Sequence, residues 1–414
     1  MAVGKQQAAR LQSSYTWPTP AGVIGPGESL TSGVNQIYPI VNNVFEQMTG
    51  SKEIQAVDTA SLVAMGTTLE NRQMYDLFLN TLARRIGYTI DGYRVYRNKY
   101  SELVRNVLEW GAIVQKITAD MPEAVADKMF DVGKMNGQSL DHYIVNTPKV
   151  QQRFFDKETP YSFFVTMQTQ LLREAFLNEY SMASFINQIF GKVRNKIEFT
   201  NEELGRLCVA NFVLNLQNYQ HYHLVSIYNS KNAGATPVTT ATALKDNSFM
   251  RFMVGFINNI GLKMENMSVL FNSEGWERFT PVANRKFYIL SDVITALQTE
   301  VYYSAFNKGD VMANPTLLVP YWQASKPEQG NYDDWSVIST IEGTIQVDGV
   351  VQQKTLNNLI GVMFDYEALG TFREEEMVLT TPINARGAYY NTFWHERQLY
   401  FNDMSENGVA FFLD

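Results

Sequence analysis

From Phe249 to Ile260 apolar side chains recur at i, i+3, i+4, i+7, i+8 and i+11, and Gly261 follows. The residues are Phe249, Phe252, Met253, Phe256, Ile257 and Ile260, all on one stripe of an α-helix. Such a stripe has to be buried against a second layer. The period then changes. Lys286-Phe-Tyr-Ile-Leu reads as a short strand, and Ser291 and Asp292 open a helix carrying Ile294, Leu297, Val301 and Ala305. Leu317-Leu-Val-Pro-Tyr is the next strand, so an α/β layer is predicted to begin near Asn247.

Upstream, the pattern is different. Trp17-Pro-Thr-Pro-Ala-Gly-Val-Ile-Gly-Pro-Gly cannot build a core of its own, and residues 1–65 read as an arm. Thr67 and Glu70 have capping-box spacing; Leu69, Tyr75, Phe78, Leu82 and Ile86 follow helically, and Gly87 is the expected stop. Between Tyr88 and Pro160 lies a hairpin-like excursion. Its two arms, Ile113-Val-Gln-Lys-Ile-Thr and Val150-Gln-Gln-Arg-Phe-Phe, are expected to pair, with a helical patch at Ala124–Phe130. A loop-rich stretch of that length serves contact or function more often than it serves a core.

A long helix is predicted near 181–196, carrying Phe185, Ile186, Ile189 and Phe190. Thr200 and Glu203 form a second capping box, opening a helix that turns Leu204, Leu207, Cys208 and Phe212 inward. Lys231–Ala243 is a connector. Asp348-Gly349 between apolar arms is a two-residue hairpin signal, and the last strands are expected at Met377–Thr381, Tyr389–Leu399 and Val409–Leu413.

The residues exclude more chemistry than they suggest. Net charge is −8, and no basic stripe of the kind that grips phosphates is visible, so nucleic acid would meet a wall and not a clamp. Only 18% of residues are charged, against about 25% in ordinary soluble domains, which suits a surface covered by partner subunits. Cys208 is the sole cysteine, expected as a buried core thiol, which rules out an intrachain disulfide and nearly excludes a thiolate metal site. The polar stretch Met1–Gln12 is not expected to be a signal peptide, and no run of about 18 apolar residues is present.

Gly137-Gln-Ser139-Leu-Asp141 lacks the second glycine of a nucleophile elbow, and His395-Glu396-Arg397 goes no further than the first pair of a zinc-protease motif. His221 and His223, two apart, would face one metal only on extended backbone; among Tyr219, Tyr222 and Tyr228 they read better as amphipathic rings at a helix end or interface. No phosphate loop occurs, and the adjacent carboxylates Asp333-Asp334 and Glu374–Glu376 read as solvated loop charges. The chain is therefore expected not to be an enzyme, and no catalytic residue, metal or cofactor is assigned.

Several segments then carry a resemblance. Lys286-Phe-Tyr-Ile-Leu-Ser-Asp292 with Ala305-Phe306-Asn307, the strand Gly361-Val-Met-Phe-Asp-Tyr366, and Asn384-Ala-Arg386-Gly387-Ala-Tyr389-Tyr390-Asn391 with Trp394 and Asn407-Gly-Val-Ala410-Phe411 are together similar to major capsid proteins of small tailed phages of the phi-29 kind. The order of elements over residues 65–414 also resembles the α+β, Hong Kong 97-type phage capsid fold. That resemblance implies an N-terminal arm (1–65), a peripheral domain (66–91 and 162–246, with the spine helix), an extended loop (92–161), an axial α/β domain (247–375) and C-terminal strands (376–414) returning to the peripheral domain. No immunoglobulin-like domain of the sort some relatives carry is expected after residue 414.

It further implies a shell of hexamers and pentamers in the virion, assembled in the bacterial host cytoplasm. A scaffolding protein and a portal would be its partners, and double-stranded DNA would be enclosed without specific binding. Trp110, Arg153, Lys157 and Glu158 in the loop are expected at intersubunit contacts. A cellular nanocompartment shell of the same fold, or a cytosolic enzyme with an unrecognised site, is the alternative.

Overall fold

The computed structural model describes residues 37–89, 96–105, 114–124, 143–234, 236–299, 315–323, 331–347 and 350–414, without 51, 53, 72, 123, 125–142, 144, 146 and 157. The Pro/Gly-rich stretch 17–27, the patch 125–130, the Asp348-Gly349 pair and Ala305-Phe306-Asn307 therefore lie outside the described residues. The chain divides into two units. One takes the described parts of Met1–Val95, Phe163–Lys196 and Val378–Trp394; the other takes those of Tyr96–Ser162, Ile197–Met377 and His395–Asp414.

The described residues of the first unit include part of the segment expected as an arm. Helix α1 (Ile37–Thr49) buries Ile37, Ile40, Val41, Val44 and Phe45, a stripe at i, i+3, i+4, i+7 and i+8. Asn42 fixes the following turn by donating to the Ala56 carbonyl at 2.9 Å and accepting from its N–H at 2.6 Å. Ordered structure thus begins well before residue 65. The single helix expected from Thr67 to Gly87 is two: α2 (Thr59–Asn71) and α3 (Tyr75–Thr89). The cap of α2 is Asp58, whose carboxylate accepts from the Ser61 N–H at 2.8 Å. Thr67 sits mid-helix with its hydroxyl on the Val63 carbonyl, and Gln73 at φ 53° makes the break. Gly87 does not end α3, which runs two residues further.

A short strand, β1 (Val104–Arg105), precedes the excursion. Its arms, β2 (Val114–Ala119) and β3 (Val150–Phe155), pair antiparallel as expected, from Val114 opposite Phe155 to Ala119 opposite Val150. Strand β4 (Glu158–Gln168) leads through α4 (Thr169–Ala175) to α5 (Glu179–Phe185), which Asn178 caps at the Ser181 N–H. A π-turn at Ile186–Gly191 joins α5 to α6 (Lys192–Asn215). One helical run from 179 to 215 therefore replaces the helix near 181–196 and the second helix expected to open at Thr200. No glycine or proline separates Gly191 from Gly205, so the Thr200–Glu203 box has no end to cap. Leu207 is exposed instead of inward, while Cys208 and Phe212 are buried.

The second unit is built on a five-stranded sheet. After α6 come β5 (His221–His223) and α7 (Leu224–Lys231), then α8 (Asn247–Met264). The stripe read from sequence is inward on α8: Phe249, Met253, Ile257 and Ile260 are buried, while Phe252 and Phe256 are half-buried beside Tyr228 and Tyr222. Gly261 does not stop the helix; its carbonyl takes the Arg285 guanidinium at 2.7 Å. The strand and helix read at 286–297 are β6 (Arg285–Leu290) and α9 (Ser291–Leu297), followed by β7 (Leu317–Val319).

The hairpin read around Asp348-Gly349 is β8 (Ile341–Val347) with β9 (Val350–Leu356), Val347 opposite Val350. Then come β10 (Leu359–Asp365), β11 (Leu369–Thr380), β12 (Tyr389–Asn402) and β13 (Gly408–Phe412). The sheet order is β5-β13-β10-β6-β7, and every residue of β10 and β13 is buried, as strands covered on both faces require. A second sheet runs β1-β11-β12-β4, its three long strands dividing between the units at residues 162, 377 and 394. The last strand was expected to return to the peripheral domain. It lies instead between β5 and β10, because its unbroken apolar run satisfies a two-faced central position.

Candidate functional site

The β2–β3 ribbon alternates cleanly. Val114, Lys116, Thr118, Gln151, Arg153 and Phe155 turn toward the second unit's own surface and are covered to varying degrees, whereas Gln115, Ile117, Ala119, Val150, Gln152 and Phe154 are exposed. On the outward face Ile117 is 63%, Phe154 59% and Val150 58% exposed, an apolar surface with no cover from the described residues of this chain.

The inward face is fastened by charge. Lys116 Nζ lies 2.8 Å from Asp403 Oδ2, 2.6 Å from Glu406 Oε1 and 3.6 Å from Glu367 Oε2. Arg153 Nη1 lies 3.0 Å from Asp403 Oδ1, and its other amine meets Glu274. Arg278 donates to Thr118 at 2.9 Å and stands 3.4 Å from Glu406. At the margins Phe155 packs on Phe401, ring centres 5.3 Å apart, and the Lys149 ammonium sits 4.7 Å over the Trp276 ring.

Asp403 is the centre of this cluster. Its side chain has no solvent exposure, and Oδ1 also accepts from the Ser405 hydroxyl at 2.7 Å and N–H at 2.9 Å. Burial by itself would raise this carboxyl, but the Lys116 ammonium and the Ser405 bonds outweigh it and hold the group below its ordinary range. Lys116 is raised by the same arrangement, since Asp403 and Glu406 more than offset its own burial.

Of the four residues singled out in the loop, Trp110 and Lys157 lie outside the described residues, and Glu158 opens β4. Arg153 is brought into the cluster, where its guanidinium is committed to Asp403 and Glu274 of its own chain. Sequence reading passed over Lys116, Asp403, Glu406, Glu274 and Arg278. They are separated by up to 290 positions, and no local spacing joins them.

Elsewhere the titratable groups are absorbed by packing. His221 and His223 lie on extended backbone at a helix end, His223 being the residue that precedes α7; both rings lie against Phe412, and His223 Nδ1 is 2.8 Å from Asp414. Burial, with Lys354 and His223 nearby, pushes His221 down to about 4. No group of three or more His, Cys, Asp or Glu side chains able to hold a metal occurs among the described residues. The Cys208 thiol lies 3.1 Å from Asn402 Oδ1, and burial raises it to about 12, so it is a core thiol and not a nucleophile.

Glu396, of the His395-Glu396 pair, accepts from Tyr161 at 2.8 Å and pairs with Arg373 at 3.3 Å. A groove of about 600 Å³ runs beside β3, α6 and β8, lined among others by Phe154, Leu207, Asn211, Asn215, Thr344 and Tyr400. Its lining also includes the carboxylates Asp156 and Glu342, and among the described residues no histidine, thiol or basic side chain. Among the described residues no helix is long and apolar enough to cross a membrane.

A family model described as Phi29-like phage major capsid protein matches residues 38–412. The major capsid protein of Bacillus phage B103 is 23% identical over 183 residues, 44% of this chain, so the chain spans 39% of that relative. The major capsid protein of Bacillus phage PZA is 19% identical over 391 residues, 92% of this chain and 73% of that one. Among solved structures, the capsid structure of Staphylococcus phage Andhra superposes with a TM-score of 0.51 at 10% identity, covering 79% of this chain and 88% of that chain.

Proposed function

Because the chain belongs to the Phi29-like phage major capsid protein family, we propose that it builds the head of a tailed phage, assembling as hexamers and pentamers into a closed shell around double-stranded DNA. Its α+β architecture is the Hong Kong 97-type fold of phage capsids. In that frame the first unit serves as the peripheral domain, α6 as the spine helix and the sheet β5-β13-β10-β6-β7 with α8 as the axial domain. A scaffolding protein and a portal are its partners during assembly in the host cytoplasm, and the negative net charge leaves enclosed DNA unclamped.

The observation that carries this reading beyond the family match is the ribbon's outward face. Ile117, Phe154 and Val150 hold apolar area that the described residues of this chain leave uncovered, and in a shell a second copy covers it. Trp110, Lys157 and Glu158 belong to the same excursion and are assigned to the same contact, with Arg153 supporting it from the inward side.

Electron microscopy and light scattering of the expressed protein, with and without candidate scaffold, test the proposal. Shells, tubes or ring-shaped hexamers are expected, and Ile117→Ser with Phe154→Ser abolishes them while the subunit stays folded. A small oligomer of fixed size under every condition overturns the capsid reading. Deleting residues 95–155 is the poorer test, because it strips Asp403 of both its cations.

A further inference from the structure

Lys116 and Arg153 stand directly opposite each other across the two strands of the ribbon. Like charges in that position repel and destabilise a strand pair, and a lone two-stranded ribbon is marginal in water to begin with. Glu406 and Glu367 also answer Lys116, and Glu274 also answers Arg153, but only one carboxylate of the cluster meets both cations. Asp403, from the segment after β12, takes Lys116 on one oxygen and Arg153 on the other, so a single buried group bridges both strands. The dependence is mutual, since Asp403 without these cations is an uncompensated buried charge, a state proteins tolerate poorly.

We propose that this cluster is a latch that fixes the root of the ribbon in the free subunit, before any partner binds, and that the ribbon leaves its seat only when Lys116 and Arg153 both part from Asp403. The outward face is thereby presented in a set orientation, and the ordering cost of that segment falls on the subunit's own folding and not on assembly. The latch concerns the inward face alone, so it stands or falls separately from the shell-building role of Ile117 and Phe154.

Hydrogen–deuterium exchange on full-length subunits, kept below the concentration at which they associate, decides the matter. In the unaltered chain the amides of β2 and β3 are expected to exchange at least tenfold more slowly than unstructured chain. Asp403→Asn keeps the shape and removes the charge; it is expected to speed β2 and β3 at least tenfold while β10 and β13 keep their protection. Adding Arg153→Gln to Asp403→Asn removes the like-charge pair and is expected to restore part of the protection, which mere loss of a contact would not do.

Unprotected β2 and β3 amides in the unaltered free subunit overturn the proposal, as does Asp403→Asn that leaves them unchanged. Should Asp403→Asn also loosen β10 and β13, Lys116→Gln, altered on the ribbon side, decides: faster exchange confined to β2 and β3 supports the latch, and unchanged exchange refutes it.

Discussion

Gly408 opens β13 where no side chain has room. Its N–H donates to the Phe271 carbonyl at 2.7 Å and its own carbonyl accepts from Gln220 Nε2 at 2.8 Å, so the backbone is held on both sides. A Cβ there would lie 2.4 Å from Cζ and 2.6 Å from Cε1 of Phe212. Phe212 is fully buried on α6, with the Phe364 ring 6.0 Å away, so it cannot swing aside freely. Gly408→Ala must therefore shift a packed ring by about 1 Å, and overpacking of that kind costs about 1–3 kcal/mol. Alanine returns about 0.5–1 kcal/mol by restricting the unfolded chain, for a net loss of up to about 2.5 kcal/mol.

Phe212→Leu removes the atoms in collision. In that background Gly408→Ala keeps only the unfolded-state gain and is expected to stabilise by about 0.5–1 kcal/mol, a coupling of about 1–3 kcal/mol in the double-mutant cycle. Cys208 supplies the probe: buried in the same unit, with its thiol raised to about 12, it reacts with a thiol reagent only after that unit opens. Urea midpoints read by Cys208 labelling of unassembled subunits give the four stabilities. Additive penalties would refute the claim that Phe212 is what forbids a side chain at Gly408.

Two smaller predictions use the same probe. His221 is held near 4 against an unfolded value of 6.5, so the unfolded chain takes up its proton first and stability is lost as pH falls from about 6.5 to about 4. Discounted for the half-buried ring, the loss is about 1–2 kcal/mol, and His221→Gln is expected to flatten that window; an unaltered pH profile in the variant would remove His221 from the account. Asp246 accepts from the Phe249 N–H at 2.8 Å at the start of α8, so Asp246→Ala is expected to cost about 1 kcal/mol. A midpoint that does not move would mean that packing alone sets where α8 begins.

The second unit was the more legible half because its segments obey one period each. The α8 stripe, the β6 strand and the β8–β9 arms obey clear local patterns, and local pattern agrees there with tertiary position. The helices failed mainly at their ends, with Leu207 the one misjudged face position. Thr67-Thr-Leu-Glu70 and Thr200-Asn-Glu-Glu203 both have the spacing of a cap, yet each lies within a helix that already had a start, Asp58 in one case and Asn178 in the run leading to the other. A capping box is evidence for an end only where the preceding residues cannot be helical. Arm-like composition over residues 17–27 likewise said nothing about Ile37–Phe45, whose stripe is plain once that stretch is read by itself.

The latch was illegible for a different reason. Pairing of β2 with β3 is a property of two neighbouring arms, and it could be read; which group lies under Lys116 depends on where a chain segment 287 residues later is brought by the sheet it has just left (403 − 116 = 287). One trace was nonetheless present in the sequence. Once the arms are paired, two cations on one face of a two-stranded ribbon make an unfavourable ribbon, and the short acidic turn Asp403-Met-Ser-Glu406 is among the few places able to answer two cations at once. A frustrated charge in one element is therefore a reason to look for its complement elsewhere in the chain. Here the complement sits just ahead of the central strand β13, so a fully buried strand of the sheet and the half-exposed β2–β3 ribbon are fastened by the same five-residue link, 403–407, that joins β12 to β13.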